Sequence, residues 1–246
     1  MKLSDLVTYF DGLLKVGEIR DYPNAVNGLQ VENAGAVTKI AVAVDACEAV
    51  IRRAVESGAN LLIVHHGLFW SGLGPVSGAA YRKLRLALEG NLAVYSAHLP
   101  LDAHPEFGNN ALLCDALGLG DWRMPFLEIG WRVEQEITRE ELADRLGKAV
   151  GGRVHLAPGG PAVVRKIGVV TGGAGGEIFQ AAAQGVDTFV TGEGPHWSYT
   201  AAEELGVNLW YAGHYATETF GVKALGKHAQ DKFGLPWEFL DHPTGL

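Results

Sequence analysis

The chain alternates short apolar runs with amphipathic stretches, and this alternation limits its fold more than any other feature. Residues 39–46 (KIAVAVDA) are apolar and β-branched without polar alternation, the pattern of a strand buried on both faces. Residues 48–57 carry helical periodicity and are closed by Gly58, where a left-handed C-cap favours glycine. Residues 61–64 form a second buried strand that leads straight into His65 and His66. A glycine-rich loop over 67–78, a helix over 80–88, a cap at Gly90 and a third strand over 92–96 follow, and this strand leads into His98. Strands alternating with helices imply a parallel sheet covered on both faces. Such sheets place ligand sites outside the carboxyl ends of their strands, where both histidine clusters fall.

The second half repeats the plan. A strand over 166–171 meets the glycine-rich turn Gly172 to Gly176, and a helix over 177–184 ends at Gly185. A strand over 186–191 leads into Gly192 and Glu193, a helix over 198–205 ends at Gly206, and a strand over 207–211 leads into His214. The closing segments align as AHLPLD (97–102) and GHYATE (213–218), which reads as a diverged internal duplication. The expected fold class is α/β. It has two similar lobes, 1–125 and 126–246, each a mostly parallel sheet flanked by helices, with a metal site between them. Before the first strand, a helix over 4–15 with Ser4 as its N-cap is predicted, then a loop over 23–28. Residues 131–157 read as strand, helix (139–150) and strand, and their place in either lobe is open.

Composition narrows the function classes. A net charge of −8 argues against general nucleic-acid binding, which needs excess Lys and Arg to neutralise phosphates. The Arg82, Lys83 and Arg85 cluster reads as the solvated face of a helix. No apolar run reaches bilayer-spanning length and the N-terminus lacks a signal-peptide pattern, so a cytoplasmic location is expected. Cys47 and Cys114 fit neither a disulfide framework nor a zinc knuckle and read as buried thiols.

The chemistry concentrates in His98 with Asp102 and His214 with Glu218. Each pair sets an imidazole four residues before a carboxylate, so one helical turn projects both from one face. Adding His65 and His66 makes four imidazoles and two carboxylates, a set that suits two ions with open positions better than one closed structural zinc. Adjacent histidines point to opposite faces within a strand, so both reach one site only if the strand ends at Val64. A lone histidine after a strand is more often a hydrogen-bonded loop residue, but the same residue types recur at corresponding ends of both halves. Asp45 is placed to orient a ligand histidine, and Asn27, Gln30, Asn109 and Asn110 to hold the ligand loops. His104 and Glu106 are candidate proton-transfer groups, or simple loop residues. Gly172 to Gly176 could cradle a phosphate, but a tight turn fits its residues better. His155, His228 and His242 have no matching partners and read as background.

NGLQVE (27–32), the strand leading to HHGLFW (61–70), AHLPLDAH (97–104), GNNA (108–111) and AGHYATE (212–218) resemble the NGG-interacting-factor-like, or YbgI-type, dinuclear-metal family. Its bacterial members are often labelled GTP cyclohydrolase I type 2 homologues. The resemblance runs over nearly the whole chain and implies a toroidal homohexamer with a two-metal site in each subunit. It carries the ligand roles to His65, His66, His98, Asp102, His214 and Glu218, the same six that the spacing selects. The chain departs from the family at TGEGPHW (191–197), which leaves Glu193 and His196 as open accessory positions.

The function expected is a metal-dependent hydrolase acting on an unidentified small-molecule substrate. Its cofactors are two divalent ions per chain (zinc, iron or manganese) that hold a bridging water, with Glu193 or His104 as catalytic base if one is needed. The alternative is a non-catalytic scaffold that stores or delivers metal or serves regulation.

Overall fold

A computed structural model describes residues 1–70, 72, 74–120 and 122–246. The predicted glycine-rich loop over 67–78 includes Ser71 and Leu73, which lie outside the described residues. In chain order the elements begin with α1 (Leu3–Leu14), β1 (Gly28–Val31), β2 (Ile40–Asp45), α2 (Glu48–Glu56), β3 (Leu61–His66), α3 (Gly78–Glu89) and β4 (Ala93–Ser96). Next are α4 (Leu99–Asp102), α5 (Asn109–Ala116), β5 (Arg123–Phe126), β6 (Gly130–Thr138), α6 (Arg139–Val150), β7 (His155–Pro158) and β8 (Val163–Val169). A 3₁₀ turn (Ala174–Glu177) precedes α7 (Ile178–Ala183), β9 (Thr188–Thr191), α8 (His196–Leu205), β10 (Asn208–Tyr211), α9 (His214–Thr217), α10 (Thr219–Phe233) and β11 (Trp237–Phe239). The fold is α/β, with two sheets flanked by helices, as the sequence implies. No described helix is long and apolar enough to cross a membrane.

The first compact unit comprises Met1–Leu101 and Gly221–His242. Among the described residues its sheet has five strands in the order β1-β4-β3-β2-β11. Pairings β4-β3, β3-β2 and β2-β11 are parallel, and β1 closes the edge antiparallel to β4. The apolar runs that mark β2, β3 and β4 are buried nearly end to end, as strands covered on both faces must be. Ala41, Ala43, Leu62, Val64 and Val94 face the α2 residues Val50, Ile51 and Ala54. On Tyr95, one residue beyond Val94 and therefore on the opposite face, the ring packs 5.8 Å from Phe10 of α1 and its hydroxyl donates to Asp11 at 2.8 Å.

The sequence division at 125/126 treats the chain as two successive halves. Cα packing instead returns 221–242 to the first unit, because β11 pairs with β2. Helix α10, which the sequence reading did not predict, carries two glycines that lower helix propensity. At Gly226 the reason is packing: the Trp237 ring stands where a Cβ would lie.

The second compact unit comprises Asp102–Phe220 and Pro243–Leu246. Its sheet runs β5-β6-β8-β9-β10-β7. Its parallel part is β8-β9-β10, and the flanking pairings β5-β6, β6-β8 and β10-β7 are antiparallel. Alternation splits the core between two faces. Val190 and Trp210 pack with Leu113, Leu142 and Leu146 of α5 and α6, while Phe189 and Leu209 pack with Ile178 and Ala202 of α7 and α8. Burial in the first cluster pushes the Cys114 thiol up to about 12. Helix α6 keeps its predicted bounds, and the Thr138 hydroxyl caps it by accepting from Glu141 N–H at 3.1 Å, half of a capping box. The segment 131–157 joins this sheet at two places, β6 beside β8 and β7 beside β10.

Each unit thus contains three consecutive parallel strands joined by helices, with an antiparallel strand beside the third. In the first unit that edge strand is β1, which the sequence reading left partly in a loop. In the second it is β7. Gly90 caps α3 as expected, at φ −81°, and the left-handed position falls on Asn91. Two local expectations differ. Ser4 lies inside α1, whose N-cap is Lys2. Cys47 is half-buried as the N-cap residue of α2.

Candidate metal centre

Within the first unit, Asp45, His65, His66 and His98 all stand at the carboxyl ends of parallel strands. Strand β3 does not end at Val64 as expected; it continues through His66, which pairs with Asp45 of β2. On the other side, pairing with β4 stops at Val64–Ser96. Beyond that point β3 has a neighbour on one side only, and strict alternation relaxes. The His65 and His66 rings converge to 4.8 Å, and the His98 ring lies 4.9 Å from His65 and 5.6 Å from His66. One ligand nitrogen from each of the three falls within 4.8 Å of the others.

Their orientation is fixed from behind. His65 Nδ1–H donates to the Ala97 carbonyl at 2.8 Å, and His66 Nδ1–H to Asp45 at 2.9 Å. His98 Nδ1–H donates to Asp21 at 2.9 Å. A carbonyl or carboxylate can only accept, so in each neutral ring the proton sits on Nδ1 and the lone pair on Nε2. That is the arrangement in which proteins hold metal-ligating histidines.

Asp21 is the residue the sequence reading missed. It carries no spacing signal, since its partner lies 77 positions away. Its nearly buried side chain also accepts from Asn27 Nδ2 at 2.7 Å, Leu99 N–H at 3.0 Å and Tyr22 N–H at 2.6 Å. Burial by itself would raise this carboxyl. The bonds from His98 and Asn27, the His98 charge and the Tyr22 amide outweigh it and hold the pKa at about 2. The expected loop-holding residues are in place too. Asn27 Oδ1 accepts from His98 N–H at 2.7 Å, and Gln30 ties Leu68 N–H to the Ala25 and Val26 carbonyls.

Within the second unit the chain gathers Asp102, His214, Glu218 and Glu193. Asp102 ends α4 and Glu218 follows α9, both one-turn helices just past a third parallel strand. Both carboxylates are buried, with an oxygen of each within 4.8 Å of the other's. Asn109 Nδ2 donates to Asp102 at 2.7 Å, and Asn110 ties the Asp102 and Ile129 carbonyls to Thr171. His214 sits between two carboxylates, with Nδ1 2.9 Å from Glu193 and Nε2 3.2 Å from Glu218. Burial lowers its pKa, but the bonds and charges of Glu218 and Glu193 prevail and raise it to about 9. In metal-free protein this contribution to stability is fully present below pH 6.5, the ordinary histidine value, and is lost as pH rises through about 9. Thermal unfolding with a chelator should therefore show Tm falling across that window, and His214→Gln should flatten the fall.

The glycine-rich turn packs against Glu218 and His214. Gly172 has φ +69°, and a Cβ there would run into Glu218 Oε1 and lie 3.4 Å from His214 Nε2. Its carbonyl accepts from Gly192 and Glu193 N–H at 2.9 Å each. Gly172→Ala combines a left-handed backbone with overpacking and should cost about 2–4 kcal/mol, measurable by urea unfolding.

The remaining candidates make the following contacts. His104 turns into its own loop, where Nδ1 accepts from Glu106 and Phe107 N–H at 3.1 and 3.0 Å and the ring stacks on Phe107. His196 is exposed at the start of α8. His228 Nε2 meets Tyr9 Oη at 2.6 Å, and His155 stacks on Tyr211.

A parallel α/β framework with imidazoles and carboxylates past its strand ends defines a class of proteins in which those groups could hold a metal ion. The model of the Duf34/NIF3 (NGG1p interacting factor 3) family matches residues 1–244, and the chain belongs to that family. It is 41% identical, over 98% of its length and 94% of the relative's, to a GTP cyclohydrolase 1 type 2 homolog of Deinococcus radiodurans. Among solved structures it is similar to TTHA1606 from Thermus thermophilus, with TM-score 0.94, 43% identity and full coverage of both chains. It is also similar to the protein ybgI, described as of unknown function, with TM-score 0.93, 37% identity and full coverage of both chains.

Proposed function

We propose that His65, His66, His98, Asp102, His214 and Glu218 together hold two divalent ions and that the protein is a metal-dependent hydrolase. The observation that carries this reading is the fixed orientation of the imidazoles. Each of the four Nδ1 atoms meets a carbonyl or carboxylate oxygen at 2.8–2.9 Å, which directs Nε2 toward a ligand. Four imidazoles and two carboxylates fit zinc, iron or manganese. Bound there, two such ions would supply Lewis acidity and lower the pKa of water.

The chain's own groups do the rest. Asp21, Asp45 and the Ala97 carbonyl keep three of the imidazoles in one tautomer and one direction, and Glu193 fixes the direction of the fourth, His214. Glu193 engages His214 through Oε1, and its half-exposed carboxylate is the proposed general base. His104 is the second proposed proton-transfer group. With two backbone N–H groups on Nδ1 its neutral ring holds the proton on Nε2, so it gives a proton there. A small-molecule substrate, a homohexamer and a cytoplasmic location belong to the same reading.

Metal content by mass spectrometry on untagged protein, with native mass on the same sample, tests it. About two ions per chain are expected. Protein that arrives metal-free and takes up neither zinc, iron nor manganese would overturn the reading.

A further inference from the structure

We propose that Tyr22 and Trp70 form an aromatic lip beside the three histidines of the first unit and seat a planar, unsaturated ring of the substrate. This rests on the hydrolase reading and names the substrate class that reading leaves open. Trp70 stands edge-to-face against His98, with ring centroids 4.7 Å apart at 84°, and against His66 at 5.8 Å and 77°. Tyr22 lies 6.3 Å from the Trp70 ring and 6.1 Å from His98. Its side chain is nonetheless outside the core, with 64% of the residue exposed.

An exposed aromatic ring gains nothing from burial, yet the backbone that carries this one is held in place. Tyr22 N–H donates to Asp21 at 2.6 Å, and Asn24 Nδ2 reaches the Trp70 carbonyl at 3.3 Å. Gln30 Nε2 grips the Ala25 and Val26 carbonyls at 3.1 and 2.8 Å. Val26 itself sits at φ +46°, a conformation that β-branched residues avoid. Strain of this kind persists only where surrounding bonds enforce it, and it clusters at ligand sites. The same Asp21 that orients His98 therefore also fixes the backbone at Tyr22. With the ring set against Trp70 and His98, this is preorganisation for a flat group lying beside the imidazole nitrogens.

Benzamide and cyclohexanecarboxamide test this, because both are neutral primary amides of similar size and only one has a planar ring. Each is titrated into the metal-loaded full chain and followed by ligand-observed NMR, with metal content measured on the same samples. Benzamide should bind about three- to tenfold more tightly. Tyr22→Phe should retain that preference, whereas Tyr22→Ala should bring the ratio to about one with metal content unchanged. Equal binding of the two amides by the unmodified protein, or an undiminished preference in Tyr22→Ala, would overturn the lip. A chain that holds no metal but keeps the Tyr22-dependent preference would overturn the hydrolase reading and leave the lip standing.

Discussion

His98→Ala and His214→Ala should each lower metal affinity by at least about 100-fold, because losing a ligand exceeds the 10–100-fold typical of losing an outer-shell partner. The two substitutions probe different units. His98 belongs to the imidazole cluster of β3 and β4, and His214 to the carboxylate-flanked cluster past β10. Neither side chain anchors a hydrophobic core, so circular dichroism and native mass should stay close to the parent protein while metal per chain falls. If both variants retained full metal content, the six-ligand site would be wrong.

The second large effect is expected at Asp21. Asp21→Ala removes one acceptor from four donors: His98 Nδ1, Asn27 Nδ2, Leu99 N–H and Tyr22 N–H. Each donor stranded in a buried setting costs about 1–3 kcal/mol, less where water or relaxation rescues it, so a loss on the order of 3 kcal/mol is expected. Metal affinity should fall about 10–100-fold as well, because His98 loses the group that fixes its tautomer. Asp21→Asn separates the two consequences. The amide keeps one acceptor oxygen, so much of the stability should survive, but it withdraws the carboxylate charge behind the imidazole. A cobalt-loaded sample should then show a shifted visible spectrum at near-normal stability. The stabilisation also has a pH signature. The Asp21 carboxyl is depressed from 3.8 to about 2, so its contribution is complete above pH 3.8 and is lost as pH falls through about 2. Acid unfolding of the parent should therefore be steeper in that range than acid unfolding of Asp21→Asn.

Much of this architecture is written locally. The apolar runs over 39–46, 61–64, 92–96, 166–171, 186–191 and 207–211 mark the six parallel strands of the two β-α-β-α-β runs, since strands buried on both faces tolerate few polar residues. The six proposed ligands follow from spacing, and the family resemblance names the same six. Elements without a local signature were missed. Strand β1 is four residues long, β11 is three, and α10 carries two glycines, of which Gly226 is explained only by the Trp237 contact.

By itself, then, the sequence determined the parallel α/β framework and the inventory of imidazoles and carboxylates at its strand ends. Periodicity and i,i+4 spacing are properties of neighbouring residues and survive without any fold. Tertiary structure alone decided how those groups are aimed. Asp21 reaches His98 across 77 positions, Asp45 reaches His66 across 21, and the Ala97 carbonyl reaches His65 across 32. Contacts of that range form only when β1, β2, β3 and β4 pair in register, so the direction of the His65, His66 and His98 rings is a consequence of sheet assembly.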